Sequence, residues 1–321
     1  MPRRLTNVPA ARPHRPSLRS RVTGGLTAAA VLGTMLVAAA LPAHAVTPSA
    51  AGTLDAALAT TTTSPKLTWR PPALTSPTTV TVSSTKHNLS LAAGRDYIIK
   101  MPTTPLDVRG GLTIAGGRNV VLIGGEIRST RTSSVANDKR GLYLVNQTGT
   151  LHVEGLKITG STLAEGINLD QRAGGTVQLQ NIRVDTVYGS LNGHHADVLQ
   201  TWGGPATLRV DRLTGYTTYQ GFMFQPTQFG SPSPKLFDLR NINIVGRTGS
   251  GYLMWRDGKT WPMKITNVWG KPSITGLPRG QWLRPDNTTY GFGYVKVGTP
   301  STGDFVPATR AGTAYVSPGY L

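Results

Sequence analysis

The sequence of 321 residues predicts an all-β fold, a single-stranded right-handed parallel β-helix of about six to eight coils with a capping segment at each end. Three observations predict it: an apolar pattern that returns every 26 to 31 residues, an Asn or Gly slot inside that pattern, and a second apolar pair ahead of the copies. Alternation at period two is typical of strands, and a repeat of this length is typical of stacked units that cannot bury their apolar face alone.

The N-terminal region precedes the repeat, and we predict that residues 1–45 are a secretory signal peptide. Six arginines come before an apolar segment over residues 26–41, and the small-residue cleavage site Ala43-His44-Ala45 follows it. The apolar segment is shorter than a membrane span, which favours a cleaved signal over an uncleaved anchor. Residues 46–68 are rich in Thr, Ala, Ser and Pro and are predicted to be a disordered linker. We therefore expect an extracellular protein without a membrane span.

The folded domain is predicted to span residues 69–321, with regular coils over about 107–270. Strands up to about Met101 are expected to cover the first coil, because a bare end would expose core and unpaired strand edges. Residues 271–321 break the repeat and are predicted to form the C-terminal cap and loops along the side. The pattern apolar-x-apolar-x-x-apolar-x-apolar begins at Leu151, Val177, Leu208, Phe237 and Met263, with a weaker copy at Val120.

The slot between the two apolar pairs of each copy is predicted to be a corner, because Asn and Gly tolerate the left-handed conformation that a bend requires. An antiparallel sandwich is the alternative, but it needs hairpin signals such as Asn-Gly between close strands. The one Asn-Gly, Asn192-Gly193, lies in a long insert, so the β-helix is favoured. The corner slot holds Gly155, Asn181, Arg212, Asn241 and Asn267. The second apolar pairs are Leu142/Leu144, Ile167/Leu169, Phe222/Phe224 and Tyr252/Met254, with Asp197/Leu199 aligned to them.

The charge of the chain favours anionic partners. The net charge is +18, and cleavage after Ala45 would lower it to +12. Outside the cell a positively charged surface attracts polyanions such as acidic polysaccharides. The alternative interpretation is that the charge only keeps the protein soluble. Cysteine is absent, which excludes disulfides and thiolate metal sites, and we expect no cofactor or metal. No module that combines aromatic and basic residues is present, so we expect no nucleic acid partner, and we expect a monomer.

Outward positions on the second set of strands predict a sugar-binding face. Side chains alternate on a strand, and the last outward position of successive coils holds Val145, Asp170, Gln200, Gln225 and Trp255. Amides and guanidinium groups hydrogen-bond sugar hydroxyls and carboxylates, and indole rings pack against pyranose faces. An ordinary solvated sheet face is the alternative. The predicted substrate-binding residues are Arg172, Gln200, Trp202, Tyr219, Gln225, Gln228, Trp255 and Lys259.

Residues 193–200 contain the sharpest local cluster, with His194, His195 and Asp197 as candidate catalytic residues. Asp197 is aligned with apolar residues of the other coils, so its carboxylate needs a partner. A His–Asp pair would act as a general base or acid. Alternatively, Asp197 caps the bend by accepting backbone N–H bonds.

These features together resemble the pectate-lyase-like superfamily of right-handed β-helices. The resemblance covers about residues 100–270 and rests on the repeats, the corner Asn residues, the segment 119–125 and the turn His195-x-Asp197-x-x-Gln200. It implies that a polysaccharide lies over Asp170, Gln200, Gln225 and Trp255. The superfamily includes lyases, hydrolases, epimerases and non-catalytic surface proteins. Asn168-Leu169-Asp170 is similar to the Asn-x-Asp of polygalacturonase-type hydrolases, whose other motifs are absent, as is the three-acid calcium site of pectate lyases.

The candidate catalytic residues, which also include Asp170 and Arg256, favour a lyase over a hydrolase. A lyase neutralises a uronate carboxylate, removes the C5 proton and protonates the leaving oxygen. Arg172 and Arg256 are predicted to neutralise the carboxylate, and His194, His195, Tyr219 or Lys259 to take the proton. A hydrolase needs two carboxyls about 5 to 9.5 Å apart, whereas Asp170 and Asp197 are expected roughly 11 Å apart. We predict a secreted lyase of a uronate-containing glycan, with a glycoside hydrolase and a non-catalytic polysaccharide-binding module as alternatives.

Overall fold

The computed structural model describes residues 65–321, which form a right-handed parallel β-helix of about seven turns. The predicted signal peptide and residues 46–64 of the predicted linker lie outside the described residues. Within residues 65–321 the only helical segments are two short 3₁₀ turns, Ala136–Lys139 and Arg279–Gln281. Neither approaches the length and hydropathy that a membrane-crossing helix needs. The predicted all-β solenoid is therefore confirmed.

The strands form two parallel sheets, one of eleven strands and one of eight. In chain order they are β1 (Thr78–Thr81), β2 (Asn88–Leu91), β3 (Tyr97–Lys100), β4 (Leu112–Gly116), β5 (Val120–Ile123), β6 (Glu126–Arg128), β7 (Arg140–Val145), β8 (Thr150–Glu154), β9 (Lys157–Thr159), β10 (Glu165–Asp170), β11 (Thr176–Val187), β12 (Asp197–Gly203), β13 (Thr207–Thr217), β14 (Gln220–Phe224), β15 (Leu236–Gly246), β16 (Met254–Arg256), β17 (Met263–Lys271), β18 (Leu283–Arg284) and β19 (Lys296–Val297). The eight-stranded sheet runs β2-β4-β7-β10-β12-β14-β16-β18, and the eleven-stranded sheet contains the other strands.

Each coil bends at the predicted corner. Asn181, Asn241 and Asn267 have φ between 48° and 56°, Arg212 has φ 55° and Gly155 has φ 67°. In β11, β13, β15 and β17 the two apolar pairs of one copy therefore lie on either side of a left-handed residue, and both pairs face the core. The corner prediction is confirmed, including the one position that Arg occupies.

Strand stacking extends beyond the regular repeat at both ends. β1 pairs with β3 and β2 with β4 in parallel register, so the segment before Met101 belongs to the stack of coils. After β17, the fully buried side chains of Trp282 and Phe292 pack against the end of the core cluster.

Segments from both ends of the described chain lie together on the outer face of the eleven-stranded sheet. We call residues 66–70 and 312–321 the terminal strap. The Leu67 amide donates to the Gly319 carbonyl at 2.9 Å, and the Leu321 amide donates to the Leu67 carbonyl at 3.0 Å. Beneath the strap, the buried Glu154 carboxylate accepts from the hydroxyls of Tyr315 and Tyr320 at 2.7 and 2.6 Å. The strap therefore covers the middle of this face.

Replacing Tyr315 with Phe should lower the free energy of unfolding by about 1.5 to 3 kcal/mol, because it removes a hydrogen bond to a buried carboxylate. Chemical denaturation measures the change. The matched control is Tyr294→Phe, since Tyr294 is 62% exposed, and it should shift the free energy by less than about 0.5 kcal/mol. Equal decreases in the free energy of unfolding of the two variants would show that the hydrogen bond from Tyr315 to Glu154 does not stabilise the fold.

Candidate active site

Strand register defines two outward rows on the eight-stranded sheet. In the first row Arg140 pairs with Glu165 and Asp197 pairs with Gln220. The register between β10 and β12 places Glu165 beside Asp197. The register between β14 and β16 likewise places Gln220 beside Tyr252, two residues before the start of β16. We call these five residues the acid row. The second row, the amide row, consists of Tyr143, Asn168, Gln200, Met223, Trp255 and Arg284.

The outward direction of the acid row follows from the residue after Glu165. A Cβ on Gly166 would lie 2.4 Å from the Val198 carbonyl oxygen and 3.0 Å from a methyl group of Val184, which faces the core. Position 166 therefore points inward and leaves no room for a side chain. Ile167 is also a core residue, so the strand bends between positions 166 and 167. Glu165 precedes this bend, and its Oε2 accepts from the outward Asn168 amide at 3.0 Å, which places its carboxyl on the outer side.

Glu165 and Asp197 form a pair of buried carboxyls on adjacent rungs, which are about 4.8 Å apart in a sheet. Glu165 is 8% exposed and Asp197 is 0% exposed. The Asn168 amide donates to Glu165 Oε2 at 3.0 Å and to Gln200 Oε1 at 3.2 Å. Neither oxygen of Asp197 has a hydrogen-bond partner among residues 65–321. Both members of this acid pair are therefore buried, and only Glu165 keeps some exposed surface.

Burial raises the pKa of both carboxyls. It raises the pKa of Glu165 to about 7, against the opposing effects of the Asn168 hydrogen bond and the Arg140 charge. It raises the pKa of Asp197 well above its usual value, and the negative charge of Glu165 adds to that rise. The pair therefore retains a proton at neutral pH, as expected for two close carboxyls in a dry environment.

A cation and two aromatic rings lie beside Glu165. The Arg140 guanidinium is 4.3 Å from the centre of the Tyr143 ring and 5.5 Å from that of Trp202. The two rings meet edge to face at 5.8 Å. Trp202 reaches this position because β12 has a bulge: Leu169 pairs with Thr201 and Asp170 with Gly203, which leaves Trp202 as the extra residue.

The predicted alignment of the outward face was wrong in register. Gln200 and Trp255 do share a row, but Asn168 and Met223 fill the places predicted for Asp170 and Gln225. Asp197 aligns with Glu165 and Gln220, and the inward pair of its coil is Leu199/Thr201. Asp197 therefore does not replace an apolar core residue.

The predicted His–Asp pair is also wrong. His195 is exposed, its Nε2 lies 3.2 Å from the Leu191 carbonyl oxygen, and its ring lies 5.1 Å from that of Tyr219. His194 is half-buried near Lys139; burial, followed by that positive charge, lowers its pKa. Tyr219 lies near Asp197, and burial followed by the Asp197 charge raises the Tyr219 pKa.

Two predicted arginines have structural partners. Arg172 forms a bidentate ion pair with Asp170, with N–O distances of 2.7 and 2.9 Å. Asp170 lies five residues after Glu165, at the other end of β10. Arg256 points inward, because Trp255 takes the outward position, and only 2% of it is exposed. The Arg256 guanidinium donates to the carbonyl oxygens of Tyr290 and Lys259 and lies 3.5 Å from the Trp261 ring centre. A neutralising role for Arg256 is therefore excluded by its burial.

The remaining predicted residues are spread over the C-terminal side of the face. Gln225 follows the end of β14, where its backbone amide donates to Thr201. Gln228 and Lys259 are exposed, and Trp255 is half-buried in the amide row.

Sequence reasoning missed Glu165, Arg140, Tyr143 and Arg284, and it named Asn168 only within the Asn-x-Asp likeness. It also placed Tyr252 in the inward pair Tyr252/Met254, whereas the inward pair of that coil is Met254/Arg256. A usable signal exists in the motif polar-Gly-apolar-x-apolar, which starts β7, β10 and β14 at Arg140, Glu165 and Gln220. The Gly marks the inward position at the strand start, so the residue before it faces out. Aligning the coils on this Gly, with Val198 in its place, brings Glu165 and Asp197 together.

The fold and the site define a parallel β-helix protein with a buried acid pair on the outer face of one sheet. Searches of family models, of curated proteins and of solved structures each find no match to this chain. Within residues 65–321 no three His, Asp or Glu side chains come together as a metal site.

Proposed function

We propose that this protein is an extracellular polysaccharide lyase that cleaves a uronate-containing glycan by β-elimination at Glu165. The observation that carries the proposal is the juxtaposition of Glu165, the one member of the acid pair with some exposed surface, with Arg140 and the amides of Asn168 and Gln200. A β-helix fold is consistent with a polysaccharide-active protein.

The uronate carboxylate must be neutralised before its C5 proton can be removed. Arg140 is the cation nearest Glu165 in the register, and its Nε has no hydrogen-bond partner among the described residues. Arg140 is charged and desolvated, so it gains from binding a carboxylate. Gln200 adds an amide donor on a neighbouring rung, and Asn168, whose two amide hydrogens go to Glu165 and Gln200, holds both groups in place.

Glu165 then carries the proton. In its ionised form it takes the C5 proton, and the C–H electron pair forms the C4–C5 double bond while the C4–O bond breaks. The same carboxyl returns the proton to the leaving oxygen, which balances the step. A pKa near 7 suits both transfers at neutral pH.

A hydrolase built on the acid pair is less well supported. A retaining hydrolase needs two carboxyls about 5 Å apart, and the rung spacing provides that separation. However, both carboxyls must reach the sugar, and Asp197 is 0% exposed. An enclosed carboxyl can raise the Glu165 pKa but cannot attack a sugar carbon. Elimination needs a single proton-transfer group, so it fits the site better.

Digestion of a glycan panel tests the proposal. The protein without residues 1–45 is incubated with polygalacturonate, alginate and a neutral glucan, and unsaturated uronate absorbance and new reducing ends are followed separately. Absorbance together with reducing ends, on uronate polymers only, is the expected result. Reducing ends alone would indicate the hydrolase, and binding without either signal would indicate a non-catalytic module.

A further inference from the structure

The far end of the amide row repeats the chemistry found beside Glu165. Arg284 is exposed and pairs in register with Trp255. Its Nη1 donates to the Tyr252 hydroxyl at 3.2 Å, and its guanidinium lies 5.7 Å from the Tyr252 ring centre. Tyr252 and Trp255 are both half-buried, so each shows part of its ring. This end therefore offers a guanidinium with two aromatic surfaces, as Arg140, Tyr143 and Trp202 do at the other.

The distance between the two ends follows from the strand order. Tyr143 and Trp255 belong to one row with Asn168, Gln200 and Met223 between them. Four rung steps of about 4.8 Å separate their backbones by roughly 19 Å along the solenoid axis. Two polar amides lie between the ends. A ligand that touches both ends must therefore be extended, lie parallel to the axis and cross several rungs.

We propose that Tyr252, Trp255 and Arg284 form a second subsite for an acidic sugar of the same polymer that Glu165 cleaves. The inference rests on the proposed function and narrows its substrate to a polyuronate long enough to span both ends. Guanidinium groups bind carboxylates with charge-assisted hydrogen bonds, and indole rings pack against the apolar faces of sugars. Cleavage then falls within the chain, several sugars away from the residue held at Arg284.

The test uses polygalacturonate and alginate oligomers of graded length, with the parent and the variant Arg284→Gln. We expect kcat/KM for oligomers that span both ends to fall about 10- to 100-fold, mainly through KM. Oligomers too short to span both ends should be cleaved at the parental rate. Trp255→Ala should show the same dependence on length. Thermal unfolding of each variant checks that the fold is kept.

The matched control is Lys296→Gln on the eleven-stranded sheet. Lys296 lies 5.0 Å from the Trp269 ring centre, so the control removes a cation from an indole elsewhere on the solenoid. It should leave cleavage of every length unchanged.

Direct binding of the long oligomers separates the two hypotheses. Suppose that the parent cleaves the oligomers. If Arg284→Gln then cleaves long oligomers as well as the parent does, or if its kcat/KM falls equally for short and long oligomers, the subsite is overturned and the lyase stands. If the parent binds long oligomers without cleaving them and Arg284→Gln weakens that binding, the subsite stands and the lyase is overturned. If the parent neither binds nor cleaves either polyuronate, both are overturned.

Discussion

Glu165→Gln should lower the rate of glycan cleavage by about 10²- to 10⁴-fold, the range that a positioned proton-transfer group contributes. Gln keeps the size of the side chain and an oxygen that can accept from the Asn168 amide, so the fold should be kept. In the parent, the pH–rate profile should show a limb near pH 7, where the Glu165 pKa lies. The residual activity of the variant should lack that limb.

The control for this variant is Asp185→Asn, which neutralises a carboxyl on β11 that pairs with Arg183 at 2.8 Å. It should change the cleavage rate less than about threefold, since neutralising a carboxyl outside the site removes no proton-transfer group. Parental activity in Glu165→Gln would remove Glu165 from the mechanism, and the proposed elimination with it.

The second large effect concerns stability, which should fall as the pH rises from about 4.5 to about 7. The unfolded Glu165 carboxyl loses its proton near pH 4.5, whereas the folded one keeps it until near pH 7. Between these values the folded state binds more protons, so a rise in pH favours unfolding. The shift corresponds to about 3 kcal/mol for Glu165, which is 8% exposed. Chemical denaturation at pH 5 and pH 8 measures it.

Chemical denaturation of Asp197→Asn at the same pH values tests the acid pair directly, because it removes one of the two ionisable groups. Asn cannot ionise, so the variant should be more stable than the parent at pH 8, with the difference shrinking toward pH 4. Asp96→Asn is the control of opposite sign. Hydrogen bonds from Arg118 at 2.7 and 2.8 Å hold the pKa of Asp96 below its usual value. That variant should be less stable than the parent at neutral pH. A destabilised Asp197→Asn at pH 8 would argue against a strained, buried acid pair.

The solenoid was predictable because its determinants are local and repeat. Alternating apolar residues define inward positions, and a left-handed Asn or Gly is needed wherever a short strand bends. Even Arg212 was found from its place in the repeat, although Arg carries no preference for a positive φ. The first coil was harder to recognise from sequence, because β1 and β2 have four residues each and too few apolar positions to show a period.

The site was not predictable to the same degree, because two residues hide the register of β12. Thr201 points inward with 0% exposure, where the neighbouring strands β10 and β14 have Leu169 and Phe224, and its hydroxyl accepts from the Gln225 backbone amide at 3.1 Å. Trp202 is an inserted bulge residue. The apolar pattern therefore aligned Asp197 two positions away from its true partner, and Glu165 was overlooked. Which acids meet depends on pairing between coils 32 residues apart, and an apolar pattern alone does not fix that pairing.

The meeting of Leu67 with residues 319–321 brings the two ends of the described part, residues 65–321, next to each other. A short peptide linker between these two points should permit circular permutation, with new ends cut at the exposed 191–193 loop. A tether attached at Leu67 or Leu321 would leave the molecule on the side of the eleven-stranded sheet. Immobilised in that way, the molecule would keep its acid row turned toward the solution.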